Sequence, residues 1–211
     1  MMTQTILLAD DHFVFQQGLK ALLEREGFDV VAETKDGHEA VRLSRQLSPD
    51  VAVLDIGMPL LNGIDAARQI LKQSPGTQVV VLTMYEEDAY VLEALRAGIR
   101  GYVLKAQAAA DLVAAIREVS RGAVYLSPGV SKTVVDAYMG KSELPLDPLT
   151  DRERQVLQLV AEGKTTKAVA DILGLSVKTA DSHRTRIMQK LEIHETASLV
   201  RYAIRRGFIK P

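Results

Sequence analysis

The chain has 211 residues, which fits one large domain or two small ones, since single domains run roughly 100–200 residues. It holds no cysteine, so disulfides, thiolate metal sites and a cysteine nucleophile are excluded. The net charge of −1 is unevenly spread, because residues 147–211 hold 12 Lys and Arg against 8 Asp and Glu, and a basic segment favours a polyanionic partner.

The first 120 or so residues alternate between short apolar runs and segments with helical spacing. Strands are predicted over 5–9, 28–32, 51–54, 78–82 and 101–104, and helices over 13–26, 37–47, 64–72, 89–97 and 108–121. Strands that alternate with helices form a parallel sheet with helices on both faces. The pattern therefore predicts an α/β domain built on a doubly wound, five-stranded parallel sheet.

The rest of the chain has a different character. Periodicity weakens over 123–147, where Pro and Gly are frequent, although a short helix over 130–139 is compatible with that segment. Beyond it only helices are predicted, and Thr150 followed by Glu153 forms a capping box at the start of the first one. We therefore predict one domain over 1–122, a linker over 123–147, and a smaller all-α domain of four helices over 148–211.

Polar side chains fall at the ends of four predicted strands. These are Asp10 and Asp11 after the first strand, Asp55 after the third, Thr83 at the end of the fourth, and Lys105 after the fifth. The carboxyl ends of parallel strands share one edge of the sheet, which is where open α/β sheets place their sites. Three carboxylates repel one another unless a cation joins them, and Mg²⁺ accepts carboxylates together with phosphate oxygens. The pattern therefore predicts a Mg²⁺ site where Asp55 attacks phosphorus, with Lys105 and Thr83 holding the phosphoryl oxygens.

Each of these residues also has a simpler explanation when it is taken alone. Asp10 and Asp11 suit a helix cap, and Asp55 suits a turn before a proline-containing loop. Lys105 suits the solvated end of an edge strand, and Thr83 suits an ordinary strand position. Independent causes would rarely place all of them at one edge, which favours the site.

The segments that carry these residues resemble the receiver domain of bacterial response regulators. They are 7–12 (Leu-Leu-Ala-Asp-Asp-His), 53–59 (Val-Leu-Asp-Ile-Gly-Met-Pro), 81–83 (Val-Leu-Thr) and 101–105 (Gly-Tyr-Val-Leu-Lys). The resemblance covers about the first 120 residues and implies a flavodoxin-like fold with Asp55 as the phosphoacceptor. It implies that Asp11 binds Mg²⁺ directly, that Asp10 binds it through water, and that the Gly57 carbonyl completes the metal shell.

Two further expectations come from the same resemblance. Tyr102 matches the aromatic switch that turns inward when Thr83 moves toward the phosphoryl group, although a half-buried sheet residue is the alternative. Many receivers have a proline after the lysine, joined by a cis bond. Here that residue is Ala106, for which a cis bond is costly, so the loop departs from the family there.

The last 60 or so residues resemble the LuxR-type helix-turn-helix domain. The resemblance rests on 149–153, 161–164, 170–179, 183–184 and 187–191. A helix over 177–191 suits the major groove of double-stranded DNA, and its candidate DNA contacts are Lys178, Thr179, Asp181, Ser182, His183, Arg184, Thr185, Arg186 and Lys190. The basic residues and His183 are expected at phosphates, and Asp181, Ser182 and Thr185 at base edges. The alternative to DNA contact is that these residues form the solvent-exposed face of an amphipathic helix.

The fourth helix of that domain carries Leu199, Tyr202 and Ala203 at helical spacing. In the family it pairs with the same helix of a second subunit, and the alternative is packing within its own domain. The two resemblances together define the NarL/FixJ class of response regulators. They imply a transcriptional regulator phosphorylated by a sensor histidine kinase, a homodimer when phosphorylated or DNA-bound, in which the receiver often blocks the DNA helix until phosphorylation.

Two other functions are compatible with parts of this pattern. A phosphohydrolase of the haloacid dehalogenase type needs a second aspartate two residues after the nucleophile, and Gly57 stands there, so we expect no enzyme. A constitutive DNA binder with a vestigial receiver is disfavoured by the intact set of receiver residues. No apolar stretch approaches the ~20 residues that span a bilayer, and the N-terminus lacks a basic start, so a cytoplasmic location is expected.

Overall fold

The structure is a computed structural model that describes residues 3–84, 88–128, 130 and 148–209. Its N-terminal domain is built on a sheet of parallel strands in the order β2-β1-β3-β4-β5-β6. The strands are β1 (Thr5–Ala9), β2 (Asp29–Thr34), β3 (Val51–Asp55), β4 (Gln78–Thr83), β5 (Gly101–Leu104) and β6 (Tyr125–Leu126). The central strand β3 is buried along its whole length, as its unbroken apolar run requires.

Helices cover both faces of this sheet. They are α1 (Phe13–Arg25), α2 (Gly37–Leu47), α3 (Gly63–Gln73), α4 (Asp88–Arg96) and α5 (Ala108–Ser120), with a 3₁₀ turn over Lys105–Gln107. Alternate residues of β1 point to opposite faces: Leu7 packs in the core with α2, α3 and α4, whereas Ile6 and Leu8 pack in the core with α1 and α5. The predicted doubly wound α/β architecture is confirmed.

The predicted number of strands was wrong, because a sixth strand, β6, pairs in parallel with the edge strand β5. The adjacent Ser127 is buried, donates its hydroxyl to Asp111 Oδ2 at 2.6 Å, and accepts from the Leu104 amide at 3.3 Å. Two residues are too few for a periodic signal, so sequence reasoning placed this strand in the linker. The rest of that predicted linker, with its short helix, lies almost wholly outside the described residues.

The C-terminal domain contains four described helices, as predicted. They are α6 (Asp151–Ala161), α7 (Thr166–Leu173), α8 (Val177–Lys190) and α9 (Thr196–Arg205). The capping box at Thr150 is present, and Gly174 makes the left-handed turn between α7 and α8 at φ 64°, a conformation that favours glycine. One apolar core joins the four helices through Val156, Val169, Ile187 and Leu199. In the part of the chain that the structure describes, no helix is long and apolar enough to cross a membrane.

Candidate functional site

Three carboxylates meet at the carboxyl edge of the sheet. Asp10 and Asp11 directly follow β1, and Asp55 is the last residue of β3. Asp10 and Asp55 are 1% and 3% exposed, whereas Asp11 is partly exposed. One ligand atom from each of the three, with a ring nitrogen of His12, lies within 4.8 Å of all the others. The structure therefore brings together the acids that sequence reasoning assigned to one site, and we call them the acidic cluster.

Lys105 provides the positive charge in this cluster. Its Nζ lies 2.7 Å from Asp10 Oδ2 and 3.2 Å from Asp55 Oδ1, and its side chain is only 7% exposed. The ammonium also lies 5.0 Å from the centre of the Phe15 ring, which favours a cation further. The Lys105–Ala106 bond is trans, and Lys105 nevertheless reaches the site.

His12 follows the two aspartates in the sequence, and the structure places its ring in the cluster. Its Nδ1 lies 3.0 Å from both Asp10 Oδ1 and Asp11 Oδ1, and 4.0 Å from Asp55 Oδ2. The His12 backbone amide also donates to Asp10 Oδ1 at 2.8 Å. The signal that could have revealed it is its position directly after two aspartates.

Thr83 and Tyr102 lie behind the cluster, on β4 and β5. Both side chains are buried, at 0% and 1% exposure. Thr83 pairs with Leu104 in the β4–β5 register, one residue before Lys105. Tyr102 is directed inward in this structure, packed in the core that contains α4. Thr83 therefore lies beside the strand that leads to Lys105, and Tyr102 lies in the core that contains α4.

The oxygen-rich chemistry of this cluster fits Mg²⁺. Asp10, Asp11 and Asp55 supply carboxylate oxygens close together, two of them in buried side chains, and hard divalent cations prefer such ligands. Gly57 and Asp11 line the same cleft, so the Gly57 backbone is at the edge of the cluster. The receiver therefore contains an acidic pocket suited to a divalent cation.

The helix predicted to contact DNA is α8, and most of its polar side chains face solvent. Exposed candidates are Lys178, Thr179, Asp181, Ser182, Thr185, Arg186 and Lys190, and half-buried ones are His183 and Arg184. Ser176 caps the helix by accepting from the Thr179 amide at 3.1 Å. Ala180 and Ile187, on the opposite face, are buried in the domain core. The helix therefore presents outward one polar face on which basic residues outnumber acidic ones.

Two of the basic DNA candidates have side-chain partners elsewhere in the domain. Arg184 Nη2 donates to Thr196 Oγ1 at 2.8 Å, and Lys190 Nζ lies 2.7 Å from Glu153 Oε2. Burial raises the pKa of Glu153, but hydrogen bonds from Lys190 and Thr150 outweigh that effect and hold the pKa below its usual value. Arg184 and Lys190 therefore also stabilise the domain that presents the helix.

The domains contact each other through α6 and the end of α9, and most of the polar face of α8 is exposed. Arg154 Nε on α6 donates to Asp65 Oδ1 on α3 at 2.8 Å, and both side chains are buried. The Tyr90 hydroxyl on α4 donates to the Ile204 carbonyl on α9 at 3.1 Å. The expectation that the receiver blocks the DNA helix was therefore wrong for this structure, because the receiver covers other surfaces.

Comparisons with known proteins agree with this architecture. Residues 6–117 match the response regulator receiver domain family, and residues 147–203 match the luxR family of bacterial regulatory proteins. The transcriptional regulatory protein LiaR of Bacillus subtilis is 37% identical over 97% of this chain and 98% of its own length. The RcsB response regulator of Salmonella typhimurium superposes with a TM-score of 0.68 at 28% identity, over 98% of this chain and 99% of that one. A structure of two RcsB dimers bound to two parallel DNAs matches with a TM-score of 0.59 at 28% identity, over 95% and 98%.

The fold and the two sites define a receiver domain joined to a LuxR-type DNA-binding domain. The chain belongs to the two-component response regulators of the NarL/FixJ class. Within that class it is a DNA-binding regulator of transcription.

Proposed function

We propose that Asp55 is the residue that accepts the phosphoryl group, because it is a buried carboxylate of the acidic cluster, at the end of the central strand β3 and beside Lys105. An Asp55 carboxylate oxygen forms a bond to phosphorus while the bond between phosphorus and the donor breaks. Lys105 binds a phosphoryl oxygen and balances its charge, and Thr83 donates a hydrogen bond to another. Tyr102 responds to the movement of Thr83 and carries the change toward α4.

Mg²⁺ completes this site in our proposal. Asp11, Asp55 and the Gly57 carbonyl would hold it directly and Asp10 through water, and when bound it neutralises charge on the transferred group. The carboxylate set of the acidic cluster supports this assignment. His12 lies beside Asp10 and Asp11 in the same cluster and orients their carboxylates.

The phosphoryl donor in this proposal is a sensor histidine kinase, which is the partner that a receiver domain implies. The protein is a carrier of the phosphoryl group and not an enzyme with turnover, since Gly57 stands where a phosphohydrolase of this chemistry needs a second acid. It acts in the cytoplasm, where kinase and chromosome are both accessible. The receiver extends through β6 to about residue 127, and the DNA-binding domain begins at about residue 148.

For DNA we propose that α8 enters the major groove. Lys178, Arg186, Arg184, His183 and Lys190 contact phosphates, and Thr179, Asp181, Ser182 and Thr185 lie nearest to base edges. A homodimer on double-stranded DNA is supported by the related RcsB dimers seen on DNA. We assign the pairing of its two subunits to α9. Two copies on adjacent half-sites gain effective concentration from their pairing.

The direct test is phosphoryl uptake measured by intact mass spectrometry with acetyl phosphate and Mg²⁺. Wild type should gain one phosphoryl group, and Asp55→Ala should gain none. Asp29→Ala is the matched control, because it removes an exposed carboxylate at the opposite end of a strand. Uptake by Asp55→Ala equal to that of wild type would overturn the assignment of the phosphoacceptor.

A further inference from the structure

The turn that carries Lys105 has few contacts of its own. It spans Lys105–Gln107, between β5 and α5, and Ala106 and Gln107 are both exposed. The Lys105–Ala106 bond is trans, and alanine leaves φ free where a proline ring would fix it. In the described part of the chain, the Gln107 side chain makes no capping hydrogen bond at the start of α5. A short 3₁₀ turn is held weakly by its own hydrogen bonds, so its position depends on neighbouring elements.

The side chain of Ser127 joins the two ends of this turn. Its hydroxyl accepts from the Leu104 amide at 3.3 Å, directly before Lys105, and donates at 2.6 Å to Oδ2 of Asp111 in the first turn of α5. Ser127 is fully buried. One buried hydroxyl therefore bonds to the chain on both sides of Lys105, and we call Leu104, Ser127 and Asp111 the serine bridge.

Ser127 itself is firmly anchored in the domain. Its amide donates to the Tyr102 carbonyl on β5 at 2.9 Å, and its carbonyl accepts from the Val130 amide at 2.8 Å. Val130 is fully buried in the core that also contains Tyr102. A rotation of Ser127 away from Leu104 would leave buried polar groups without partners, and that is costly. The serine bridge therefore holds the turn against a fixed point.

The Asp111 end of the serine bridge has a second donor. Burial and a hydrogen bond to Asp111 raise the pKa of Tyr125 above its ordinary value, so its phenol stays protonated and donates. Tyr125 lies on β6 and pairs with Gly101 in the β5–β6 register. Asp111 therefore receives hydrogen bonds from two residues at the same edge of the sheet, and these bonds tie the start of α5 to β6 and Ser127.

Lys105 needs an accurately placed backbone, because its ammonium contacts two carboxylates of the acidic cluster. Nζ lies 2.7 Å from Asp10 Oδ2 and 3.2 Å from Asp55 Oδ1. A group that binds a transferred phosphoryl group has to be held within about 0.5 Å of its productive position. The lysine side chain is a flexible four-carbon stem, so much of that accuracy has to come from the chain that carries it.

We propose that Ser127 and Asp111 are positioning residues of the phosphorylation site, which place Lys105 beside Asp55 by fixing the chain on both sides of the Lys105–Gln107 turn. This inference rests on the function proposed above. Ser127 and Asp111 act through Lys105, which is the group that binds the phosphoryl oxygen. The short strand β6 and the serine that follows it are thus part of the working receiver.

A displaced Lys105 should affect the two ligands of the site in opposite directions. The phosphoryl group would lose the cation that balances its charge, so its binding weakens. Mg²⁺, in contrast, uses carboxylates that Lys105 contacts in this structure, Asp10 and Asp55, and a positive charge beside them disfavours a second cation. Its binding should therefore stay the same or strengthen. A general loosening of the site would weaken the binding of both ligands.

Three variants and one control test the serine bridge. Ser127→Ala removes both bonds of the hydroxyl. Asp111→Ala removes the acceptor at a partly exposed position, so it tests the bridge without a change at the buried serine. Asp111→Asn keeps an oxygen that accepts from Ser127. The control is Ser120→Ala, which removes a hydroxyl that donates to the Ile116 carbonyl of its own helix at 2.7 Å.

The measurement combines two affinities of the full-length protein. One is for beryllofluoride, a mimic of the phosphoryl group, in saturating Mg²⁺ by ¹⁹F NMR titration, and the other is for Mg²⁺ alone by isothermal titration calorimetry. Ser127→Ala and Asp111→Ala should bind beryllofluoride about tenfold more weakly than wild type, since a misplacement of ~1 Å can cost roughly a hundredfold. Both should bind Mg²⁺ at least as tightly as wild type. Asp111→Asn should lose less affinity for beryllofluoride than Asp111→Ala, and Ser120→Ala should match wild type for both ligands.

Wild-type affinity for beryllofluoride in Ser127→Ala and Asp111→Ala would overturn the positioning role and leave Asp55 as the phosphoacceptor. A parallel fall in both affinities would also overturn it, because that result indicates a general loosening. If Ser127→Ala does not fold, Asp111→Ala decides between these outcomes. Wild type that binds no beryllofluoride would contradict the proposed function itself.

Discussion

The two domains hold their functional side chains in opposite ways. The receiver buries Asp10, Asp55 and Lys105 together at a sheet edge, whereas the DNA-binding domain exposes the polar face of α8. Buried charges depend on one another, because removing one leaves the others without compensation. Exposed charges act nearly independently and are screened by salt. A substitution in the receiver site should therefore affect folding as well as function, and one at an exposed α8 residue such as Arg186 should affect DNA binding alone.

The largest effect should come from Lys105→Met. Two buried carboxylates, Asp10 and Asp55, would lose the ammonium that lies beside both, which should lower the free energy of unfolding by about 3 kcal/mol without Mg²⁺. Added Mg²⁺ should restore part of that loss. Urea denaturation measures both, with the exposed Lys72→Met as the control. An unfolding free energy unchanged by Lys105→Met would contradict the claim that the buried charges of the receiver depend on one another.

A smaller effect, confined to DNA binding, is expected for Arg186→Ala on α8. Its side chain is exposed, so the loss of one phosphate contact should weaken affinity several-fold and reduce the salt slope by about one. The melting temperature should stay that of wild type. Fluorescence anisotropy with duplex DNA at several salt concentrations measures the slope, and Arg45→Ala on the receiver is the control. If Arg186→Ala binds DNA with the affinity and salt slope of wild type, Arg186 does not contact DNA.

The smallest effect concerns the pair formed by Glu153 and Lys190, in which a buried carboxylate contacts an exposed lysine. Hydrogen bonds from Lys190 and Thr150 outweigh burial and lower the pKa of Glu153. Its contribution to stability is thus complete above the usual carboxyl pKa and is lost as pH falls through the lowered one. Melting temperatures measured below about pH 5 should fall less steeply for Glu153→Gln than for wild type. Equal slopes would show that this carboxylate does not contribute to the acid sensitivity.

The acidic cluster could be predicted because its residues have unusual types at defined places in the fold. Carboxylates directly after buried strands, and a lysine after another, leave few arrangements once the strands are parallel. Asp10, Asp55 and Lys105 meet in the structure for that reason. The four C-terminal helices could be predicted equally well, since Thr150, Ser176 and Gly174 are typical capping and turn residues.

The contact between the domains could not be predicted in this way. Arg154 and Gln158 are polar residues on one face of α6, and periodicity assigns such a face to solvent. In the structure they are buried against Asp65 and the Asn62 backbone. A contact with a backbone group cannot be inferred from the residue types that form it. A two-residue strand such as β6 is too short to produce a periodic pattern.

The central claim is that phosphorylation of Asp55 controls DNA binding. The most direct measurement compares the DNA affinity of wild type and Asp55→Ala, each with and without acetyl phosphate and Mg²⁺. The donor should strengthen binding by wild type and leave Asp55→Ala unchanged. Equal strengthening of both proteins, or of neither, would contradict the claim.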